Sequence, residues 1–305
     1  MRIAEESIDA TVLARIEAGA MALGRLDATL AVMPGSLKVA ATARCARVTF
    51  PGNSADVNGM LALQGDVTVV PAIRYHAALS RLASTGEERL AEAIASALAE
   101  AGVAADVAVD AGDFASALED PLPMASGVVA AAVLAGMLFA PAGSSRAAEV
   151  AAGLAGAAVL VGRGLIAAPW LCALRLDAQA RSAAVQLDRS GQWSAWLDTF
   201  SRGLVREADV VRRAALGAAA AFESDLALVR ARRRVGATDA TVLEYLQRAP
   251  RLTIPDASRA LGLTPPTVGA AVARLEADNL AIEVTGRRRD RVWVAAGAHA
   301  LAATG

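Results

Sequence analysis

Four arginines lie close together near the C-terminus: Arg287, Arg288, Arg289 and Arg291. A guanidinium group is always charged and binds phosphate oxygens through paired N–H donors. A cluster of this kind can therefore hold a nucleic-acid backbone or enter the minor groove of DNA. The whole chain has a net charge of −1, so any surface that binds nucleic acid must be local.

The residues before this cluster have the pattern of two short helices joined by a tight turn. Thr253 supplies a hydroxyl N-cap for the first helix, and Asp256 stands where a capping box places its acid. Gly262 provides the backbone freedom that a helix C-terminus favours. Thr264 can cap the second helix, and Pro265 fits its first position.

The second helix has a single apolar stripe. Val268, Ala271, Val272 and Leu275 follow the i, i+3, i+4, i+7 spacing of a helix face that is buried against a core. The two strands of a hairpin follow, with the arginine cluster at the tip. This order of elements over residues 253–294 predicts a winged helix-turn-helix.

Two partners are open to such a module. If it binds DNA, Thr264, Thr267 and Arg274 lie in or beside a major groove, and the clustered arginines meet phosphates or the minor groove. The second helix is poor in side chains that recognise bases, however, and Glu276 and Asp278 repel phosphate. Winged helices also serve as protein-contact modules, so the fold alone does not decide. Of the two partners we favour DNA.

Composition favours a mainly α-helical chain. Hydrophobic residues make up 55% of the sequence but aromatic residues only 4%, so the core is built from alanine, valine and leucine. Small side chains with high helix propensity favour helices. The 305 residues allow two domains. We place the boundary near Gly236, which separates a helical domain over residues 1–235 from the winged helix over residues 237–305.

The helical domain is predicted element by element. A first amphipathic helix spans residues 7–30, and its buried face consists of Val12, Ile16, Leu23, Leu26 and Leu30, with Gly19 leaving room for a close neighbour. One long or once-kinked helix runs from Trp193 towards Arg234, with Phe200, Leu204, Ala208, Val211, Ala215 and Phe222 in its apolar pattern. Further helices are predicted over residues 38–50, 72–82, 87–100, 113–118, 126–139, 147–161 and 178–187. Residues 66–71 are predicted as a short strand or an extended link, and residues 103–110 as a strand or a loop.

Metal chemistry has little to build on in this sequence. The two cysteines, Cys45 and Cys172, lie far apart, and His76 and His299 are isolated. Structural and catalytic zinc sites require clusters of such ligands, so we expect no metal and no cofactor. The thiols are expected to be small buried side chains in a reducing compartment.

Two apolar segments raise the question of membrane insertion. Pro121–Ser145 carries no charge, and Val150–Leu174 carries only Arg163. Both are long enough for a bilayer crossing, which takes about 20 residues. Because alanine and glycine dominate them and drive insertion weakly, buried helices are the favoured interpretation. The N-terminus also lacks a signal-peptide pattern, so we expect a cytoplasmic protein with no membrane partner.

The order of elements in residues 8–235, followed by the winged helix, resembles bacterial Fic-domain proteins. That family commonly has a GDW..WL..F helix start and a tGr.r.R.w wing. The matching stretches here are Leu23-Gly24-Arg25-Leu26-Asp27, Asp188 with Trp193-Ser194-Ala195-Trp196-Leu197-Asp198-Thr199-Phe200, and Thr285-Gly286-Arg287-Arg288-Arg289-Asp290-Arg291-Val292-Trp293. The resemblance implies a Fic-like helical domain ahead of the winged helix-turn-helix.

The catalytic motif of that family, HPFxDGNGR, is degenerate here. Leu138 stands in place of the histidine base, and Ala142 in place of the acid that holds a metal. AMP transfer to a hydroxyl needs a group that takes the proton and a cation that offsets phosphate charge, and neither side chain can serve. The family's inhibitory glutamate corresponds to about Pro51 in this alignment. The resemblance therefore implies a Fic fold without catalysis.

Part of the motif is retained in Gly143, Ser144, Ser145 and Arg146. By resemblance these residues form a vestigial nucleotide or phosphate loop, although a plain loop at a helix start is the favoured interpretation of so short a pattern. The nearest histidine in sequence, His76, is isolated and is not expected to replace the base.

Together these patterns predict a DNA-binding, transcription-regulatory protein whose helical domain serves for homodimer formation or for sensing a nucleotide or small-molecule effector. The long helix from Trp193 could form the dimer face, although such helices more often pack internally. The alternative is a Fic-type protein adenylyltransferase with an atypical active site, which transfers AMP to a target protein.

Overall fold

A computed structural model of the chain describes residues 9–49, 56–62, 127–140, 152–153, 155–157, 159–161, 163–167, 178–231 and 236–304. Its named helices are α1 (Ala10–Ala31), α2 (Gly35–Thr49), α3 (Asp56–Ala62), α4 (Gly127–Phe139), α5 (Ala178–Ser190), α6 (Ser194–Arg230), α7 (Gly236–Arg248), α8 (Ile254–Leu261), α9 (Pro265–Ala277) and α10 (Ala296–Ala303). The strands are β1 (Ala281–Glu283) and β2 (Trp293–Ala295). The fold is mainly helical and carries a C-terminal winged helix-turn-helix, which confirms the predicted class.

The first and the long helix lie where the sequence predicts them. The Asp9 carboxylate accepts a hydrogen bond from the Val12 amide at 2.8 Å and so caps α1. The predicted apolar faces are buried in both helices: Val12, Ile16, Leu23, Leu26 and Leu30 in α1, and Phe200, Leu204, Ala208, Val211, Ala215 and Phe222 in α6. Gly19 is buried against Ser201, where an added Cβ would lie 3.7 Å from the carbonyl oxygen, at ordinary contact distance.

Several predicted elements lie outside the described residues. These are the segments 66–71, 72–82, 87–100, 103–110 and 113–118, together with parts of 147–161. His76 and Cys172 lie outside them as well. The Cys45 side chain has no exposed surface, which confirms the predicted burial of that cysteine. Within the described ranges, no helix combines the length and the apolar character that a bilayer crossing requires.

The chain forms two compact units, and the first comprises residues 1–28 and 74–211. Its described core is centred on Trp196, whose indole N–H donates to the Ala132 carbonyl at 2.7 Å. The Trp196 ring stacks on Phe139, with centroids 6.2 Å apart and planes inclined by 25°. Gly136 makes room for this ring, because a Cβ there would lie 2.7 Å from the indole nitrogen. The two tryptophans of the predicted helix start, Trp193 and Trp196, are thus core residues.

The second unit comprises residues 29–73 and 212–305. It therefore holds the winged helix together with α2, α3 and the C-terminal part of α6. α2 packs against α10 and α7, and α3 packs against α10. Hydrogen bonds join these helices: the Ser36 hydroxyl donates to the backbone carbonyl of Gln247, and the side-chain amide of Gln247 donates to the backbone carbonyl of Phe222 at 3.0 Å. The compact unit thus takes in more of the chain than residues 237–305.

Candidate nucleic-acid interface

The first helix of the helix-turn-helix, α8, has the predicted caps. The Thr253 hydroxyl accepts a hydrogen bond from the Asp256 amide at 3.3 Å and donates to the Asp256 carboxylate at 2.8 Å. The hydrogen bond from Thr253, assisted by Arg259, lowers the pKa of Asp256 below its ordinary value. Gly262 ends the helix in the left-handed region with a φ of 64°, and its N–H donates to the Ser258 carbonyl.

The second helix, α9, begins at a pair of threonines. The Thr264 hydroxyl accepts a hydrogen bond from the Thr267 amide at 3.4 Å, and the two hydroxyl oxygens lie 2.8 Å apart. Pro265 occupies the first position of the helix, where a missing N–H costs nothing. All four residues of the predicted stripe are buried: Val268, Ala271, Val272 and Leu275. The stripe fixes which side of α9 remains available to a partner.

The fully exposed residues on that side of α9 have small, uncharged side chains. They are Thr264, Pro265, Pro266, Thr267, Ala270, Ala273 and Ala277. The helix contains one arginine and no lysine, asparagine, glutamine or histidine. These are the side chains that form paired hydrogen bonds to guanine or adenine in the major groove. The exposed face of α9 therefore offers mainly hydroxyl and methyl groups.

The single arginine of α9, Arg274, is bound to a carboxylate in the second unit's core. Its Nε donates to both carboxylate oxygens of Asp239 at 3.0 and 3.2 Å, and its Nη2 donates to Oδ1 at 2.6 Å. The Asp239 side chain is only 2% exposed, whereas that of Arg274 is 40% exposed. Hydrogen bonding to Asp239 raises the pKa of Arg274. This pair joins α9 to the first turn of α7.

The wing is a short antiparallel hairpin. β1 pairs with β2 in the register Ala281↔Ala295, Ile282↔Val294 and Glu283↔Trp293. One more backbone hydrogen bond, from the Val284 amide to the Val292 carbonyl at 3.0 Å, extends the ladder towards the tip. Leu252 bridges Trp293 on the other side through two hydrogen bonds of 2.8 and 2.9 Å. The strands are thereby fixed to the segment that leads into α8.

Glu283 organises the turn at the start of the wing loop. Its carboxylate accepts hydrogen bonds from the Thr285 amide at 2.7 Å, from the Thr285 hydroxyl, and from the Gly286 amide at 3.1 Å. Burial opposes the ionisation of Glu283, but these hydrogen bonds and the nearby charge of Arg291 outweigh it and lower the pKa of Glu283. The loop that carries the arginines therefore starts from a fixed turn.

Arg291 anchors the wing to α9. Its Nη2 donates to the Glu276 carboxylate at 3.2 and 3.4 Å, and its Nε lies 3.9 Å from a Glu283 oxygen. The guanidinium carbon lies 4.7 Å from the centre of the Trp293 ring, which makes a cation–π contact. The Trp293 indole N–H also donates to Glu276 at 3.1 Å. Arg291 therefore offsets the charge of Glu276, which the sequence suggests would repel phosphate.

The tip of the wing carries Arg287, Arg288 and Arg289, all exposed. Two left-handed residues bracket them, Gly286 with a φ of 62° and Asp290 with a φ of 52°. Within the part of the chain that the structure describes, none of these three arginines forms an ion pair or hydrogen bond with another residue. Three adjacent positive charges thus face solvent from a loop whose two ends are fixed.

The structure separates the predicted site residues into groups. Thr264, Thr267 and the three tip arginines are exposed, whereas Arg274 and Arg291 are held by carboxylates of the same unit. The predicted phosphate loop, Gly143, Ser144, Ser145 and Arg146, lies outside the described residues, as does Ala142. For Leu138, only its place in the last turn of α4 is described.

The sequence does not predict that Asp239 and Glu276 position these arginines. Asp239 lies 35 residues before its partner, so no local pattern connects them. The sequence offers one signal for Asp239, which is an acid in the first turn of a helix. Acids are common there, because they stabilise the positive end of the helix dipole. Glu276 and Arg291 are 15 residues apart and meet only when the wing folds against α9.

Residues 237–281 match the family described as winged helix-turn-helix DNA-binding. The chain carries a winged helix-turn-helix domain. The match begins at the start of α7 and ends at the first residue of β1, so it includes Asp239 and Arg274 and stops before the wing tip. No curated protein matches the chain.

Proposed function

We propose that this chain is a DNA-binding, transcription-regulatory protein that acts through its winged helix. The observation that carries the proposal is the wing tip, where Arg287, Arg288 and Arg289 are exposed and face no carboxylate partner in the described structure. The similarity of residues 237–281 to a DNA-binding family supports it. An unpaired cluster of guanidinium groups has the chemistry of a phosphate-binding surface.

The two exposed elements have different roles on DNA. α9 enters the major groove from its N-terminal end, where Thr264 and Thr267 lie, because the opposite stripe of the helix is buried. The tip arginines then meet the phosphates or the minor groove beside it.

Arg274 and Arg291 serve this interface as positioning residues. Arg274 donates from Nε and Nη2 to Asp239, which fixes the orientation of its guanidinium. Arg291 uses its donors on Glu276 and stacks on Trp293. The first sets α9 against α7, and the second sets the wing against α9. Affinity is therefore assigned to the wing tip and orientation to these two arginines.

A gel-shift titration of the intact protein on genomic DNA fragments at several salt concentrations tests the proposal. Binding through phosphate contacts must weaken as salt rises, with a slope of about 0.9 in log K against log salt for each phosphate neutralised. Absence of binding, or binding that salt does not change, contradicts the proposal and favours the protein-contact alternative.

The Fic-like identity of the helical part is a narrower proposal, and its support is the sequence resemblance around Trp193 and at the wing. The burial of Trp193 and Trp196 is consistent with a helix start that is part of a core. The substitutions Leu138 and Ala142 favour a fold without catalysis over AMP transfer. Incubation with labelled ATP and a cell lysate separates the two, because transfer of labelled AMP to any protein supports the enzyme.

The remaining partners follow from the regulatory proposal. A palindromic DNA site would require a homodimer, which sedimentation velocity of the intact protein measures directly. A nucleotide effector bound at Gly143–Arg146 would change DNA affinity in its presence, and a small-molecule effector would do the same. A regulator of this kind would act in the cytoplasm of a bacterial cell.

A further inference from the structure

We propose that this protein prefers A·T-rich DNA with a narrow minor groove. The wing recognises the width of that groove, and the exposed side of α9 contacts the methyl groups of thymine. The proposal rests on the DNA-binding function above and names the class of site. It follows from what each exposed element can and cannot recognise.

The exposed side of α9 lacks most of the donors that distinguish guanine and adenine. Guanine is distinguished in the major groove by the paired donors of arginine or lysine, and adenine by asparagine or glutamine. α9 contains none of these except Arg274, and Asp239 holds the Nε/Nη2 edge of that guanidinium against α7. Apart from the outer end of Arg274, the exposed side of α9 therefore has no paired hydrogen-bond donor with which to select guanine or adenine.

The exposed side of α9 presents methyl groups. Thr264, Thr267, Ala270 and Ala273 are exposed, and each of these side chains carries a methyl group. The hydroxyls of Thr264 and Thr267 share one hydrogen bond at 2.8 Å, which leaves one O–H of the pair able to donate. An apolar surface of this kind fits the C5-methyl group of thymine, which only A·T pairs place in the major groove.

The arginines of the wing tip suit the narrow minor groove of A·T-rich DNA. A-tracts have a narrow minor groove whose negative potential attracts inserted arginine side chains. Arg287, Arg288 and Arg289 lie between two left-handed turns, and Glu283 and Arg291 fix the ends of the loop. Because guanidinium is less strongly hydrated than ammonium, arginine loses less than lysine on entering a groove. The tip is therefore suited to sense groove width.

The experiment uses the intact protein and fluorescence anisotropy at low salt with short duplexes that differ in one property at a time. One duplex is centred on AAATTT and a second on TTTAAA, which keeps the composition but adds a flexible TA step. A third is centred on GGGCCC, and a fourth replaces its guanines by inosine to remove the minor-groove amino group. In a fifth, uracil replaces thymine in the AAATTT duplex and removes the methyl groups.

We expect the AAATTT duplex to bind about tenfold more tightly than GGGCCC, a difference comparable to one or two unfavourable base pairs in a specific site. TTTAAA falls between them, inosine recovers part of the loss, and uracil weakens binding to AAATTT. Equal affinity for all five duplexes, or a preference for GGGCCC, overturns the inference while leaving DNA binding intact. Absence of binding to every duplex overturns the proposed function as well.

A pair of variants separates shape recognition from simple attraction. Arg288→Lys with Arg289→Lys keeps the charge, so binding to GGGCCC is expected to change little while the preference for AAATTT falls several-fold. Arg288→Ala with Arg289→Ala weakens binding to every duplex. A lysine variant that keeps the full preference for AAATTT contradicts recognition by guanidinium in the groove.

Discussion

The guanidinium of Arg274 holds the buried carboxylate of Asp239 through three hydrogen bonds of 2.6 to 3.2 Å. The contact joins the second helix of the helix-turn-helix to the first helix of the same domain. It also commits the Nε/Nη2 edge of the one arginine in α9 to a partner within the domain. One ion pair therefore supports the domain and fixes the orientation of that guanidinium.

Loss of this ion pair is expected to destabilise the winged helix. Arg274→Ala leaves the Asp239 carboxylate, which is 2% exposed, without its cation, and breaking a buried pair costs about 3 kcal/mol or more. Since the Arg274 side chain is 40% exposed, water offsets part of this loss, and about 2 kcal/mol is expected. Chemical denaturation followed by circular dichroism measures the change.

Arg259→Ala is the matched control for that experiment. Arg259 pairs with Asp256 at 3.2 Å, but the two side chains are 78% and 57% exposed. Exposed pairs of this kind contribute little, so Arg259→Ala is expected to leave the denaturation midpoint nearly unchanged. Equal destabilisation by the two substitutions would show that the Arg274–Asp239 pair has no special role.

Arg291→Ala is expected to loosen the wing from α9. The substitution removes the contacts to Glu276 and the cation–π contact with Trp293, which together contribute about 1 kcal/mol at a partly exposed site. Because Trp293 lies in this contact, incorporation of 5-fluorotryptophan and ¹⁹F NMR should show a shift of one resonance. If no tryptophan resonance moves, Arg291 does not anchor the wing.

The core of the first unit predicts opposite outcomes for two helical glycines. At Gly136 an added methyl group would lie 2.7 Å from Trp196 Nε1 and 3.0 Å from the Trp193 ring, so Gly136→Ala should destabilise by about 1 to 3 kcal/mol. At Gly24 an added Cβ meets nothing within 4 Å, so Gly24→Ala should stabilise by up to about 1 kcal/mol through helix propensity. Thermal melting of both variants tests the packing, and the same sign for both would contradict it.

His299 gives the second unit a pH dependence with a defined sign. Burial lowers the pKa of His299 from its ordinary value of 6.5, and its Nε2 lies 2.8 Å from Asn58 Oδ1. The unfolded chain therefore takes up the proton first as the pH falls. The stability contribution is complete above 6.5 and declines as the pH falls through 6.5 towards the folded-state pKa.

Melting temperatures at about pH 7.5 and about pH 5.5 test this expectation, since the interval spans the titration of an ordinary histidine. His299→Gln cannot titrate and should show a smaller decrease over the same interval. An equal decrease in both proteins would assign the pH dependence to other groups.

Local patterns in the sequence are sufficient to predict the helix-turn-helix. Thr253, Gly262 and Thr264 each act within four residues of the groups they cap, so their roles can be derived without a fold. The apolar stripe of α9 and the buried face of α6 follow from helix periodicity for the same reason. The predicted ends of the long helix differ from Ser194–Arg230 by a few residues, as expected where termini depend on local capping.

The contacts that position the site depend on the folded chain. Asp239 and Arg274 lie on different helices, and the packing of α2 against α10 joins residues from opposite ends of the sequence. No spacing rule connects such residues, so exposed and internally bound arginines could not be distinguished beforehand. The sequence therefore predicts Arg274, Arg291 and the tip arginines as one cationic set, although the structure divides them.

The central claim is that the tip arginines bind the DNA backbone or its minor groove. Its most direct test is the salt dependence of DNA affinity for the intact protein and for the variant Arg288→Ala with Arg289→Ala. The variant should have a slope of log K against log salt that is smaller by about 2, since each phosphate contact contributes about 0.9. Arg181→Ala with Arg189→Ala, which removes the same charge from α5, should leave the slope unchanged. A wing variant whose slope equals that of the parent protein contradicts the account.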